Sequence, residues 1–296
     1  MRRRPQWAWL LAAACCTAAA AVDAGTNEAG PTRAARRIVS LSPHITENLF
    51  AIGAGSRVIG TVEYSNYPEG AKNIRQIGSY EKVDLEAVAA LQPDLVLAWE
   101  SGNSASHVAR LRAIGLNVVV TEARRIEDVA AGLERLGALA GAAAGARAVA
   151  AAFRERLSAL RARYAGQPTV RMFYEVWNQP LMTVGGSQII SSAIRLCGGE
   201  NVFAALKPMA AAVTVEAVLA ADPEAIVASG MGEERPEWLD EWRRWPGLMA
   251  VSRDNLFFVH PDLLQRHTPR ILDGIERLCQ HLETARSRRP AQPGTK

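Results

Sequence analysis

The sequence has no apolar run of twenty residues, no block of like charge and few aromatics. Its longest apolar stretch, Trp7 to Val22, is Ala-rich, interrupted by Thr17, and shorter than the roughly 20 residues that span a bilayer. Lysine and arginine (34) barely exceed aspartate and glutamate (30) in 296 residues, a formal charge of +4. Arg2, Arg3 and Arg4 supply most of that excess, and no Lys/Arg cluster is interleaved with aromatics elsewhere, which argues against a nucleic-acid surface. Glycine (23) and proline (15) are scattered, which excludes collagen and low-complexity disorder. The remainder, 49% hydrophobic and 22% charged, is a globular composition long enough for two domains.

Signatures of catalysis are missing as well. Gly53-Ala-Gly55 runs into Ser-Arg-Val-Ile-Gly60, so it is neither a dinucleotide fingerprint nor a phosphate loop and reads as a helix-to-strand turn. There is no HExxH, and Gly185-Gly186-Ser187 continues as Gln-Ile rather than as a nucleophile elbow. The five histidines are well spread. His44 with Glu47, and His260 and Asp262 with His267, are weighed as metal ligands against the commoner role of solvated or hydrogen-bonded histidines. No nucleophile has a base beside it, so the expectation is a protein that is not an enzyme and has no resident metal or cofactor.

The N-terminus carries an address. Arg2 to Arg4, the apolar stretch and the small-x-small site Val22-Asp23-Ala24 form an export signal over residues 1–24. Leu11-Ala-Ala-Ala-Cys15 also reads as a lipoprotein box, which makes anchoring through Cys15 the alternative to simple cleavage. Residues 25–36 read as a flexible leader. Of four cysteines, two lie in the signal, leaving Cys197 and Cys279 as an even pair in a chain bound for an oxidising compartment. One disulfide is expected; two buried free thiols are the alternative, and no CxxC supports a zinc site.

An internal echo organises the rest. Val83 to Ala98 aligns without gaps on Val213 to Ala228, with seven of 16 positions identical at an offset of 130. Each copy reads as a short amphipathic helix ended near a proline (Pro93, Pro223), then an apolar strand of the kind buried on both faces. Strand-like runs at 37–41, 58–62, 95–99 and 117–121 alternate mostly with helices, and a second series resumes at 170–174, 225–229 and 256–260. Between them, residues 126–139 read as a helix, Gly141 to Gly145 as a break, and 146–164 as a long helix ended by Gly166. The fold class is therefore α/β: two similar Rossmann-like α/β lobes joined by a long α-helix. The expected divisions are an N-terminal lobe at 37–140, an inter-lobe helix at 141–167, a C-terminal lobe at 168–284 and a disordered tail at 285–296.

Aromatics cluster past strand ends: Tyr64 and Tyr67, Tyr80, Trp99, then Tyr174 and Trp177. In open α/β sheets ligands bind beyond the carboxyl ends of strands, so these rings are expected to meet at one cleft.

Several stretches together carry a resemblance. Ile38-Val-Ser-Leu-Ser-Pro-His-Ile-Thr-Glu47, Tyr64-Ser-Asn-Tyr-Pro68, Val83 to Trp99 and Gly102-Asn103 come from the first half. Cys197-Gly-Gly-Glu-Asn-Val-Phe203, Thr268-Pro-Arg-Ile-Leu272 and Leu278-Cys279 come from the second. In this order, from about residue 37 to 282, the chain resembles the periplasmic cobalamin-binding proteins of vitamin B12 ABC importers. These are class III periplasmic binding proteins, whose relatives carry siderophores, haem or metal ions. The resemblance implies a periplasmic, monomeric receptor without catalysis, with cobalamin or another corrinoid as transported ligand and an inner-membrane permease and ATPase as partners. It also implies a Cys197–Cys279 disulfide. The implied pocket takes Pro43, His44, Tyr64, Tyr67, Tyr80 and Trp99 from the first lobe. From the second it takes Tyr174 to Asn178, Trp177 included, Trp242 or Trp245, and Asp262 to Arg266. Rings would cover the macrocycle while Asn178, Asp262 and Arg266 hydrogen-bond its amide arms. Haem or a ferric siderophore is the alternative ligand.

The chain departs from that pattern in places. Tyr80 stands where the family has Trp, and His44 where it has a small residue. The family docks an acidic residue of each lobe on the permease; the first-lobe position falls at Ala105, with Glu100 nearby, while Glu233 and Glu234 occupy the second-lobe loop.

Overall fold

In the computed structural model, residues 34–230 and 235–290 are described. The export signal, Cys15, Glu233, Glu234 and residues 291–296 lie outside the described residues.

Short apolar runs buried on both faces build two parallel sheets. In the first half, β1 (Ile38–Ser40), β2 (Val58–Gly60), β3 (Leu95–Trp99) and β4 (Val118–Thr121) lie in the order β2-β1-β3-β4. Helices α1 (Pro43–Ala51), α2 (Leu85–Ala90) and α3 (Ala105–Ala113) punctuate them, and α4 (Ile126–Leu139) and α5 (Ala143–Tyr164) follow. The second half supplies β5 (Val170–Glu175), β6 (Trp177–Asn178), β7 (Leu181–Val184) and β8 (Gly199–Asn201). It continues with β9 (Ala210–Ala212), β10 (Ala225–Ala228) and β11 (Leu256–Phe258). Of these, β11-β10-β5-β8 form the second parallel sheet, and β6-β7-β9 a small antiparallel one. The remaining helices are α6 (Ile189–Leu196), α7 (Val215–Ala221), α8 (Met249–Ser252), α9 (Pro261–Leu264) and α10 (Ile271–Ser287). No described helix is long and apolar enough to cross a membrane.

The echo in the sequence is a repeat in three dimensions. Both copies place a capped short helix before an inner strand: Asp84 accepts from the Ala87 N–H at 2.9 Å, Thr214 from the Ala217 N–H at 3.2 Å. An arginine at the start of each lobe's first strand is turned back on the end of that helix. Arg37 donates to the carbonyls of Leu91 and Gln92, and Arg171 to those of Ala221 and Asp222, acceptors offset by the same 130. Asp94 and Glu224 accept from the backbone N–H of these arginines, at 2.9 and 3.4 Å. Gln92 and Asp222 both take left-handed φ, 46° and 40°, where the chain reverses ahead of the strand. Matching polar corners keep each helix-to-strand turn in one geometry, so the two sheets share one strand order, β2-β1-β3-β4 against β8-β5-β10-β11.

The helix α5 spans 22 residues and buries Ala146, Ala150, Phe153, Leu157, Leu160 and Tyr164, a stripe at alternating four- and three-residue spacing. It begins three residues before the expected 146, and Gly145 lies inside it rather than in a break. A Cβ at Gly145 would sit 2.4 Å from the Ile52 carbonyl oxygen, so this glycine marks a close approach of α5 to the end of α1. Gly137 does the same for α4, where a Cβ would meet the Ala146 Cβ at 2.3 Å. The ordered chain also extends beyond the boundaries read from composition. Ala35, assigned to the leader, is buried and donates its N–H to the Leu139 carbonyl at 3.0 Å. At the other end α10 runs to Ser287 with Ala285 buried, and the residues expected as a tail from 285 are held by their arginines. Arg286 donates to the carbonyls of Cys197 and Pro168, and Arg289 to Glu224.

Cys197 at the end of α6 is disulfide-bonded to Cys279 in α10, and both are fully buried. The bridge closes a loop of 82 residues, a constraint on the unfolded chain of the kind that contributes about 2–4 kcal/mol. Replacing both cysteines by alanine should therefore lower the urea midpoint by a corresponding amount; an unchanged midpoint would contradict this.

Candidate functional site

A cavity of about 580 Å³ opens where the carboxyl ends of the strands meet, with walls from both halves. From the first half come Ser42, Pro43 and His44 after β1, Tyr64 and Asn66 after β2, and Tyr80. Trp99 and Ser101 at the end of β3, and Glu122 and Ala123 after β4, complete that wall. The second half contributes an apolar wall of Val176, Val184, Ile189, Ile190 and Met209, and a polar edge at His260, Asp262, Gln265, Arg266 and His267. Pro43 and Pro261 are each the first residue of a helix, α1 and α9, so each half turns sharply from strand into helix beside the cavity.

Trp99 is set by its neighbours. A Cβ at Gly102 would fall 1.8 Å from the Trp99 ring, so only glycine leaves the indole its place. Asn103 accepts from the Trp99 N–H at 2.7 Å and donates to the carbonyls of Leu41 and Tyr80, at 2.9 and 2.8 Å, tying three cavity segments together. Glu122 accepts from the indole N–H at 3.3 Å and from the Ser101 N–H at 2.9 Å. The Gly102-Asn103 pair thus works through Trp99 and Tyr80 rather than by facing the cavity.

The two halves are joined beside the cavity by a buried charge cluster. Glu47 on α1 is 2% exposed and receives two hydrogen bonds of 2.7 Å from Arg270, with the Arg266 guanidinium 3.6 Å away. Arg266 also pairs with Asp262 at 2.7 Å and donates to the Tyr64 carbonyl at 3.0 Å. Tyr64 has φ 63°, a left-handed conformation uncommon for an aromatic residue, and its carbonyl accepts from the Asn66 N–H as well. Asn48 donates to the His267 carbonyl at 3.0 Å, and the Arg270 guanidinium stacks 3.6 Å over Tyr67. The contacts of Arg270 with Glu47 and Tyr67, of Arg266 with Glu47 and the Tyr64 carbonyl, and of Asn48 with the His267 carbonyl all run from the first half to the segment 262–270.

Burial sets the protonation of the cavity walls. It holds His44 well below the usual imidazole value, with His267 and Arg266 adding to the effect; burial also lowers His267, against the pull of Glu122. Burial raises the Tyr80 phenol, with Glu81 adding to it. Behind the apolar wall, burial pushes Glu175 up to about 8 in spite of the hydrogen bond it accepts from the Trp242 indole at 2.8 Å.

Of the residues expected in the pocket, Pro43, His44, Tyr64, Tyr80, Trp99, Asp262 and Arg266 line it. Arg266 uses Nη2 on Asp262 and the Tyr64 carbonyl, while its buried Nη1, 3.6 Å from Glu47, makes no hydrogen bond. Six others lie elsewhere. Tyr67 is stacked under Arg270. Tyr174 is wholly buried, its phenol pushed to about 12 by that burial, because it points into the core from the middle of β5. Trp177 and Asn178 form β6, where the indole bonds the Gln179 carbonyl and packs near Trp238, outside the cavity wall. Trp242 is 3% exposed, edge-on to Phe173 and bonded to Glu175, and Trp245 packs on Trp242 in the same core cluster. Tyr174 and Trp177 are legible from their place at a strand end, and Trp242 and Trp245 only from the resemblance; neither reading fixes the face a ring takes. The antiparallel sheet carrying Val184 and Ala210 into the wall was not anticipated, since its strands are too short to show a period. Gln188 and Asn66 were also missed, being polar loop residues with no pattern. Among first-lobe rim positions, Glu100 is exposed and pairs with Arg124 at 3.5 Å, and Ala105 opens α3.

Two matching α/β lobes joined by a long helix, with one cavity walled by both, define a receptor that holds its ligand between lobes. Comparison with known proteins gives the same answer: residues 38–263 match the periplasmic binding protein family, to which the chain belongs. It is 34% identical over 256 residues to a vitamin B12-binding protein of Vibrio parahaemolyticus, covering 86% of this chain and 91% of that one. The crystal structure of the periplasmic vitamin B12-binding protein BtuF of Vibrio cholerae matches with a TM-score of 0.79 at 32% identity, over 85% of this chain and 98% of that one. The periplasmic heme-binding protein RhuT of Roseiflexus, in apo form, shares the fold, with a TM-score of 0.75 at 23% identity over 84% of this chain and 99% of that one.

Two outcomes follow from the charges. Glu47→Gln leaves two arginines facing each other without a buried counter-charge, and should cost about 3 kcal/mol in urea unfolding; a loss below about 1 kcal/mol, the worth of a surface pair, would contradict this. Glu175 holds its proton up to about pH 8 in the folded protein, whereas the unfolded chain releases it near the ordinary 4.5. Its stabilising contribution is therefore fully present below that value and is lost as the pH rises to about 8. Glu175→Gln should gain stability over the wild type steadily from pH 5 to 8, and a pH-independent difference would contradict the assignment.

Proposed function

We propose that this chain is the periplasmic receptor of an ABC importer, capturing cobalamin or a related corrinoid between its lobes and delivering it to the membrane permease. The observation that carries the ligand is the composition of the two walls. Trp99, Tyr80 and Tyr64 offer ring faces on one side, and Val176, Val184, Ile189, Ile190 and Met209 an apolar surface on the other. Such walls suit a wide, flat macrocycle with an apolar periphery, whose contact area they cover at low entropic cost. Polar capacity for amide arms is supplied at the edges: Asn66 Oδ1 is buried without a hydrogen-bond partner, and Gln265 spends only its amide N–H on the Gly230 carbonyl. The names of the relatives, vitamin B12-binding proteins at 32–34% identity, support the same ligand class.

In this reading the protein is a monomer, performs no chemistry on its cargo, and works with a permease and an ATPase. Residues 1–24 direct its export, and membrane anchoring through a lipidated Cys15 is the alternative to simple cleavage. Permease docking is assigned to Glu233 and Glu234, on the loop that the 130-residue offset makes equivalent to the residues after Trp99. The paired Glu100 is the first-lobe candidate.

Titration with cyanocobalamin, followed by tryptophan fluorescence, should give saturable one-to-one quenching that haemin and a ferric siderophore do not reproduce. Saturation by haemin or the siderophore, with no response to cyanocobalamin, would overturn the ligand assignment while leaving the receptor fold.

A further inference from the structure

Among the described residues no group of three or more His, Cys, Asp or Glu side chains is arranged to hold a metal ion, so the cavity is not built to chelate a bare cation. It does hold two imidazoles. His44, on the first turn of α1, has its Nδ1 2.6 Å from Ser42 Oγ and its ring edge-on to Trp99, with centroids 5.2 Å apart. No described group bonds its Nε2. The His267 ring lies 5.2 Å from that of His44 and 6.1 Å from Trp99, and both of its nitrogens are buried without a partner. A buried donor or acceptor left unpaired costs on the order of 1–3 kcal/mol, so such a pair of rings in a ligand cavity points to partners that the ligand supplies.

We propose that His44 Nε2 is an axial nitrogen donor to the metal of the macrocycle bound in this cavity, with His267 beside it bonding to the ligand's polar periphery. This rests on the corrinoid reading above. A corrin brings four equatorial nitrogens of its own, so one protein donor completes an axial position where a bare ion would require a cluster. Two imidazoles with centroids 5.2 Å apart cannot both take that position, and the neighbours choose between them. Ser42 Oγ, 2.6 Å from Nδ1, fixes the His44 ring; the proposal requires the Nδ1–H tautomer, in which Ser42 accepts and the Nε2 lone pair is free, as an outer-shell partner does for a metal-ligating histidine. His267 has no such orienting bond. The step is a ligand exchange: a water on Co(III) leaves with its electron pair, the imidazole lone pair forms the new Co–N bond, and no electron is transferred.

The test uses aquacobalamin, whose axial water exchanges, with binding followed by tryptophan fluorescence and coordination by the visible absorption bands. Bound to the wild-type protein, the corrinoid should show the band shift of nitrogen coordination; a His44→Ala complex at saturation should keep the bands of free aquacobalamin. Unshifted bands in the saturated wild-type complex overturn the proposal, as does a shift that survives in His44→Ala and disappears in His267→Ala. Failure of the wild-type protein to bind any corrinoid would refute the underlying ligand assignment, and is read separately in the fluorescence. A second measurement needs no variant. The Co(II) form of cobinamide, which has no axial base of its own, bound to protein labelled with 15N-histidine should show doublet 15N superhyperfine splitting in its electron paramagnetic resonance spectrum. Its absence overturns the proposal.

Discussion

Glu47 is buried on α1, and the arginines that pair with it come from the other half of the chain. This constraint governs the cavity. Arg270 reaches back to Glu47, Arg266 to Glu47, Asp262 and the Tyr64 carbonyl, and Asn48 to the His267 carbonyl. These bonds set the distance between α1 and the segment before α10, and therefore the separation of the two walls. They also hold Tyr64 in its left-handed backbone conformation at the cavity edge. Breaking one partner of such a cluster leaves a buried charge unpaired, so the cluster resists partial opening more than its pairwise bonds suggest.

Behind that contact stands a duplicated scaffold. An acidic residue and a left-handed turn recur at an offset of 130, each with an arginine from the start of its lobe's first strand, and set a buried strand beside that first strand. The carboxyl ends of both sheets consequently supply loops to one cavity, as open α/β sheets do. The helix α5 packs its apolar stripe against α4, and Gly137 and Gly145 let its backbone come close to α4 and α1. A continuous helix bends less readily than loop hinges absorb dihedral changes, so modest closure around the ligand is the motion this architecture favours.

Much of this could be read from the sequence, for identifiable reasons. Most strands of the two parallel sheets are short apolar runs, with β8, Gly-Glu-Asn, the exception that showed no such signal, and the echo at 83–98 and 213–228 exposed the repeat. Cysteine parity pointed to the pair that the structure joins. First-half pocket residues were legible because they directly follow strands. Second-half aromatics misled: Tyr174, Trp242 and Trp245 fill the core, and Trp177 turns outward on a two-residue strand. The ion cluster left no local signal, because Glu47 and Arg270 are far apart in the chain and each looks like an ordinary surface charge. Ala35 and Ala285 showed that composition places chain ends less well than packing does.

The central claim is that one corrinoid is held by both lobes at once. Hydrogen–deuterium exchange with and without cyanocobalamin tests it most directly. Binding should slow exchange together in residues 42–48 and 64–66 of the first half and in 184–190 and 260–267 of the second. Protection confined to one half, or none in either, would contradict the account.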